Sequence, residues 1–297
     1  MDGNPSLCHR STGCLRALVL LTVGLAAVVA GCEQPVAVGI PQPPTCLTPP
    51  PPPEPPAPPP PAPSPPPPRI PRVRTVTLGR SVKGTPILMH VFGSTGPTTL
   101  IFGGIHGDEP ASRFVAAELA TCLRANPSLY AARRVAVIPA ANPDGLAART
   151  RCNARGVDCN RNFPAGNWKA SARSSRYHGG PSPGSEPETR AILEAVRTLR
   201  PARVVAVHAI SRGRQCNNYD GPARAMAELM ARHNGYPPKA SIGYPTPGSF
   251  GTWAGVDRQI PTVTLELPSR LPGAQAWLTN RPALLAFIQA DGAAIGR

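Results

Sequence analysis

The sequence predicts a single α/β domain with a mixed, largely parallel central sheet flanked by helices. Three observations predict it. Short apolar runs such as Thr98–Phe102, Arg134–Pro139, Arg203–His208 and Thr262–Leu267 read as buried strands. Longer segments with helical periodicity separate several of them, the alternation of layered α/β domains. Half of the 42 prolines lie between Pro35 and Pro71, so the folding part of the 297-residue chain begins after them.

Residues 1–31 read as an export signal. Arg10 and Arg16 precede an uncharged run of 14 residues, Ala17 to Ala30. That run is shorter than the roughly 20 residues a bilayer span needs. It ends Val29-Ala30-Gly31-Cys32, similar to a bacterial lipobox, in which the cysteine is lipidated and becomes the new N-terminus. The expectation is a lipoprotein on the periplasmic face of a bacterial membrane, held there through Cys32. Glu33, in place of the aspartate that signals retention, points to the outer membrane. Residues 32–71 form a proline-rich linker. Proline fixes φ and lacks an N–H, so the block Pro49–Pro68 cannot join a helix or sheet, and at ~3.1 Å per residue it spans about 60 Å.

Residues 72–297 hold the folded domain. Val73–Leu78 and Pro86–Phe92 read as strands, with Lys83-Gly84 in the turn between them. Thr98–Phe102 follows. Pro110 then opens a helix running through Leu123, with Phe114, Leu119 and Leu123 as a buried stripe. After the strand Arg134–Pro139, Ser185 caps a helix that ends near Leu199. Arg203–His208 is a strand, Ala223–His233 a helix stopped by Gly235, Thr262–Leu267 a strand, and Ala283–Ala290 a last helix.

The formal charge is +15. The arginines form no stripe interleaved with aromatics and an export signal is expected, so the sequence argues against a nucleic-acid partner. Attraction to anionic wall polymer or lipid headgroups fits better.

The chemistry centres on Gly103-Gly104-Ile105-His106-Gly107-Asp108-Glu109. Here the glycines end a buried strand and leave His106 and Glu109 in a tight loop at its carboxyl end, where ligands of α/β sheets bind. A histidine and a glutamate three apart can offer nitrogen and oxygen to one Zn²⁺, and a catalytic zinc keeps three protein ligands and one open position. The third ligand must come from elsewhere. His208 ends a strand, whereas His90 lies within one, His178 and His233 lie in a loop and at a helix end, and His9 is in the signal.

Further motifs follow in order: Asn142-Pro143-Asp144-Gly145, Gly156-Val157-Asp158-Cys159-Asn160-Arg161-Asn162-Phe163 and Thr264-Leu265-Glu266-Leu267-Pro268. With the early loop and His208, this set resembles the zinc carboxypeptidases of the funnelin-type metallocarboxypeptidase family. The compact spacing from Arg151 to Asn160, Asn218-Tyr219-Asp220-Gly221-Pro222 and Gly243–Gly251 resemble its short bacterial branch, the murein peptide amidases.

The resemblance implies roles. His106, Glu109 and His208 would hold one Zn²⁺. Glu266 would take a proton from water and pass it to the leaving amine. Its bland reading is poor, because an unpaired carboxylate inside an apolar strand is costly. Arg151 would stabilise the oxyanion, and Asn160 and Arg161 would grip a substrate carboxylate under a mobile Tyr244. Asp158 would fix the tautomer of His106.

The implied activity is removal of a C-terminal residue from small, cell-wall-derived peptides at the γ-D-glutamyl–diaminopimelate bond. Asn218 or Asp220 would select the polar end of the released residue. The alternatives are a general carboxypeptidase, a zinc deacylase of N-acyl amino acids similar to succinylglutamate desuccinylase or aspartoacylase, and a non-catalytic wall-binding module. The last expects eroded ligands, which are absent.

Cys159 departs from the family's usual apolar residue, and could pack or pair. Cys46, Cys122, Cys152, Cys159 and Cys216 remain after lipidation, an odd set that leaves at least one free thiol. Cys152 and Cys216 flank site elements and are a possible bridge.

Overall fold

The computed structural model describes residues 73–291. The expected signal, Cys32 and the whole of the proline-rich linker lie outside the described residues. Among these residues, no helix is long and apolar enough to cross a membrane.

Eight strands form one mixed sheet: β1 (Arg74–Arg80), β2 (Pro86–Phe92), β3 (Thr98–Phe102), β4 (Arg134–Ile138), β5 (Arg203–Ile210), β6 (Cys216–Asp220), β7 (Pro238–Lys239) and β8 (Thr262–Pro268). Their spatial order is β1-β2-β4-β3-β5-β8-β6-β7. The central strands β4, β3, β5 and β8 are parallel neighbours. Antiparallel β1 and β2 extend one side, and β6 runs antiparallel to β8 on the other. The central strands are covered on both faces, which is why they are nearly continuous apolar runs.

Among the described residues, five α-helices flank the sheet: α1 (Pro110–Ala125), α2 (Pro143–Ala148), α3 (Pro187–Leu199), α4 (Arg224–Asn234) and α5 (Gly273–Gln289). Helices α1, α4 and α5 pack on one face around Leu119, Met226, Met230, Leu284 and Phe287. Helix α3 and a π-helical turn, Gly251–Val256, cover the other face with Ile192, Phe250 and Trp253.

Several expectations need correction. Phe114 is not buried; α1 turns Ala111, Val115, Ala116, Leu119, Ala120 and Leu123 inward, and small residues let it lie close to the sheet. The residue capping α3 is Glu186, and the Ser185 hydroxyl donates to the Glu186 carboxylate at 2.8 Å. Helix α5 begins ten residues before the predicted Ala283 and carries Pro282 within it. Proline opposes a helix locally, but the buried faces of Ala276, Asn280, Ala283 and Leu284 outweigh it. Strands β6 and β7 carry no strand pattern in the sequence, because Cys-Asn-Asn-Tyr-Asp has little apolar alternation. Cys122, Cys152, Cys159 and Cys216 are all free thiols, so the Cys152–Cys216 bridge is not formed. Cys216 is locked into β6 opposite Glu266, whereas Cys152 sits in the loop after α2. Cys159 is fully buried and packs with Phe102, Phe163 and Ile192 in the cluster under α3.

Candidate metal centre

The His106 loop is held by the motif that follows β4. Ala141 and Asn142 donate their N–H groups to the carbonyls of Gly103 and Gly104 at 3.0 and 2.9 Å. The Asn142 side chain donates to the Ile105 carbonyl at 3.1 Å and caps α2 by accepting from Gly145 N–H. Gly107 lies so close to Gly145 that a Cβ would overlap its carbonyl. The Asn-Pro-Asp-Gly motif therefore buttresses the loop and contributes no group to the centre.

His106, Glu109 and His208 converge and are buried. His106 Nδ1 lies 2.8 Å from Glu109 Oε1, and His208 Nδ1 lies 3.2 Å from His106 Nδ1 and 3.3 Å from Glu109 Oε2. His106 Nε2 lies 3.0 Å from Asp158 Oδ1. An ionised carboxylate only accepts, so Asp158 is placed to take an Nε2–H and to leave Nδ1 as the nitrogen that would hold a metal. Two imidazole nitrogens and a carboxylate thus come together around one point. Ligand atoms ~2.0–2.1 Å from a tetrahedral zinc lie about 3.3 Å apart. The donor set fits that ion.

The acidities follow from this crowding. Burial alone would lower His106, but the Glu109 carboxylate, helped by Asp158, raises it. Burial would raise Glu109, but His106 and His208 hold it well below the usual range. Asp158 is likewise held low against its burial by His106 and Arg151. Arg151 Nε donates to Asp158 Oδ2 at 2.8 Å, and its Nη1 lies 3.4 Å from Glu109.

Glu266 reaches the same place from β8. Strands β5 and β8 pair in parallel with His208 directly opposite Glu266. Burial, then the charge of Glu109, pushes the Glu266 carboxyl up to about 8. Beside it a cavity is lined by Asn160, Asn218, Asp220, Tyr244, Ser249 and Gly251. Asn160 accepts from Phe250 N–H at 2.9 Å through Oδ1, and its Nδ2 lies 3.4 Å from His208 Nε2. Asp220 is half-buried against the π-helical turn, where a Cβ at Gly251 would overlap its carboxylate. Burial pushes its carboxyl up to about 6. Tyr244 stands exposed on the rim.

Arg161 donates to the Asn160 carbonyl at 2.8 Å and is buried. Its guanidinium lies 5.2 Å from the ring centre of Tyr177, and so does that of Arg151. Tyr177 is not legible as a site residue in the sequence, since an aromatic in a Ser- and Arg-rich loop carries no periodic signal. The one available hint was its neighbour His178, whose carbonyl accepts from Asp158 N–H at 2.8 Å.

The structure therefore brings His106, Glu109, His208, Asp158, Arg151, Asn160 and Glu266 together, with Arg161 and Tyr244 at the margins of the same hollow.

Comparison with known proteins agrees with this geometry. Residues 69–271 match the zinc carboxypeptidase family. Murein peptide amidase A of Escherichia coli K12 is 37% identical over 204 residues, covering 64% of this chain and 79% of the relative. The same enzyme of Vibrio campbellii is 33% identical over 229 residues, covering 73% and 86%. The crystal structure of murein-tripeptide amidase from Escherichia coli O157 superposes with a TM-score of 0.61 at 32% identity, covering 73% of this chain and 92% of that one.

Proposed function

The chain belongs to the zinc carboxypeptidase family, and on that premise we propose that it removes the C-terminal residue from small murein-derived peptides by cutting the γ-D-glutamyl–diaminopimelate bond. The observation that carries the substrate is Asp220, a half-buried carboxylate on the wall of the cavity beside Glu266. Diaminopimelate ends in a second ammonium and carboxylate. Asp220 would pair with that ammonium, and the Asn218 side-chain oxygen, buried without a partner among the described residues, would accept from it as well. The likeness to murein peptide amidases supports the same substrate.

His106, Glu109 and His208 would hold zinc, which when bound supplies a Lewis acid for the scissile carbonyl and for water. Glu266 removes the proton from the attacking water and returns it to the leaving amine; a carboxyl held high by burial suits both transfers. Arg151 faces the developing oxyanion. Arg161 and Asn160 bind the carboxylate next to the scissile bond, and Tyr244 closes over it from the rim. Asp158 keeps His106 in the tautomer that leaves Nδ1 free.

We further propose that the domain works on the periplasmic face of a membrane, tethered through Cys32, which the signal and linker sequence supports. The test supplies zinc-loaded protein with murein tripeptide, ordinary α-linked peptides, acetyl-aspartate and succinyl-glutamate. Release of diaminopimelate is expected. Cleavage confined to α-linked peptides, or to the N-acyl amino acids, overturns the assignment.

A further inference from the structure

A second hollow, of about 800 Å³, opens beyond the catalytic strands. Arg212 and Arg270 line it with Gln215, Ser269 and Gln275, and no acidic side chain does. The two arginines are placed symmetrically. Arg212 lies four residues past His208 and Arg270 four past Glu266. Those strands are in register, His208 opposite Glu266 and Ile210 opposite Pro268. Ser269 N–H then ties the two exits together by donating to the Ile210 carbonyl at 2.6 Å.

Both guanidinium groups are exposed, and neither makes a hydrogen bond or ion pair with the described residues. The other arginines near the centre are engaged: Arg151 with Asp158, Arg176 with Asp108, Arg214 with the Ile242 carbonyl. Arg270 also takes a left-handed backbone, φ +65°, an unfavourable state for a residue with a Cβ.

The Asp220 cavity is reached from Thr264 and Glu266, and this hollow from Pro268 onward, so the two lie before and after the base along β8. With the leaving residue in the first, the acyl residue must extend toward the second. On the murein reading that residue is a γ-linked glutamate. Its α-carboxylate stays free, four bonds and about 5 Å from the scissile carbonyl. Four residues of extended chain rise about 13 Å, so each guanidinium meets that carboxylate with its long side chain turned back toward the centre.

Resting on that reading, we propose that Arg212 and Arg270 form a carboxylate subsite that reads the free α-carboxylate of the acyl glutamate. The subsite binds and selects; it takes no part in bond breaking. It distinguishes acidic glutamyl donors from those whose α-carboxylate is amidated.

The experiment compares kcat/KM of zinc-loaded full-length protein on murein tripeptide and on the same peptide with the glutamate α-carboxylate amidated. The wild type is expected to prefer the acid by about 10- to 100-fold, the worth of a charge-assisted contact. Arg212→Gln/Arg270→Gln is expected to cleave both at the amidated rate, with zinc content and unfolding midpoint unchanged. Arg212→Lys/Arg270→Lys should regain part of the preference. Equal rates in the wild type, or full preference kept by the double glutamine variant, overturn the subsite while leaving the murein assignment standing. A wild type that cleaves no γ-linked peptide removes the assignment and the subsite with it.

Discussion

His106 presents its Nε2 to Asp158 at 3.0 Å while the same carboxylate takes Arg151 Nε at 2.8 Å on its other oxygen. One buried aspartate thus orients a candidate metal ligand and the candidate oxyanion donor together. Asp158→Asn removes the charge and lets the amide present N–H to His106. Zinc affinity should fall about 10- to 100-fold, read by competition with a chromophoric chelator. kcat/KM should fall further than zinc loss explains, because Arg151 loses its anchor.

The same aspartate makes the protein acid-sensitive. Its folded pKa is depressed, so its contribution to stability is present above the unfolded value of about 4 and fades as pH falls below it. Unfolding midpoints measured from pH 5 to pH 2 should fall more steeply below about pH 4 in the wild type than in Asp158→Asn.

Glu266→Gln should retain zinc and fold normally while losing roughly 10²–10⁴-fold in kcat, the range for a general acid–base group. Metal analysis beside the rate assay checks it. A variant that keeps most of its activity would remove Glu266 from the proton path.

Zinc should raise the unfolding midpoint of the metal-stripped protein, by about 2.7 kcal/mol of stability when free zinc is 100 times Kd. His208→Ala should abolish that shift. A shift that survives in this variant would place the ion elsewhere.

Asp220 titrates near 6, so its charge appears as pH rises through that value. KM for a diaminopimelate peptide should fall across pH 5 to 7, and Asp220→Asn should flatten the profile and raise KM above pH 7. The sign for stability is opposite: the folded pKa lies above the unfolded one, so this group stabilises below about pH 4 and loses that contribution as pH passes 6.

Tyr177 lies 5.2 Å from two guanidinium groups that would otherwise only repel. Tyr177→Phe keeps the ring face and should keep activity. Tyr177→Ala should lower kcat/KM by roughly 5- to 30-fold, as two cation–π contacts of ~0.5–1 kcal/mol each are lost.

The sequence by itself determined the chemistry that is local to a strand and its exit. The apolar run into His106, the strand carrying His208 and the buried strand carrying Glu266 are each readable from a few consecutive residues, because burial on both faces forces continuous apolar character. It did not disclose what depends on which strand lies beside which. β6 carries Asp220 to the cavity only because it slots antiparallel beside β8, and its polar residues gave no periodic signal. Phe114 stayed outside because α1 lies close on small residues, and Pro282 stayed inside α5 because packing outweighed local propensity. The pairing of β5 with β8 decided the rest: only register across hydrogen-bonded strands sets His208 opposite Glu266 and sends Arg212 and Arg270 to one hollow. Residues 58 apart meet through tertiary pairing, which no local pattern encodes.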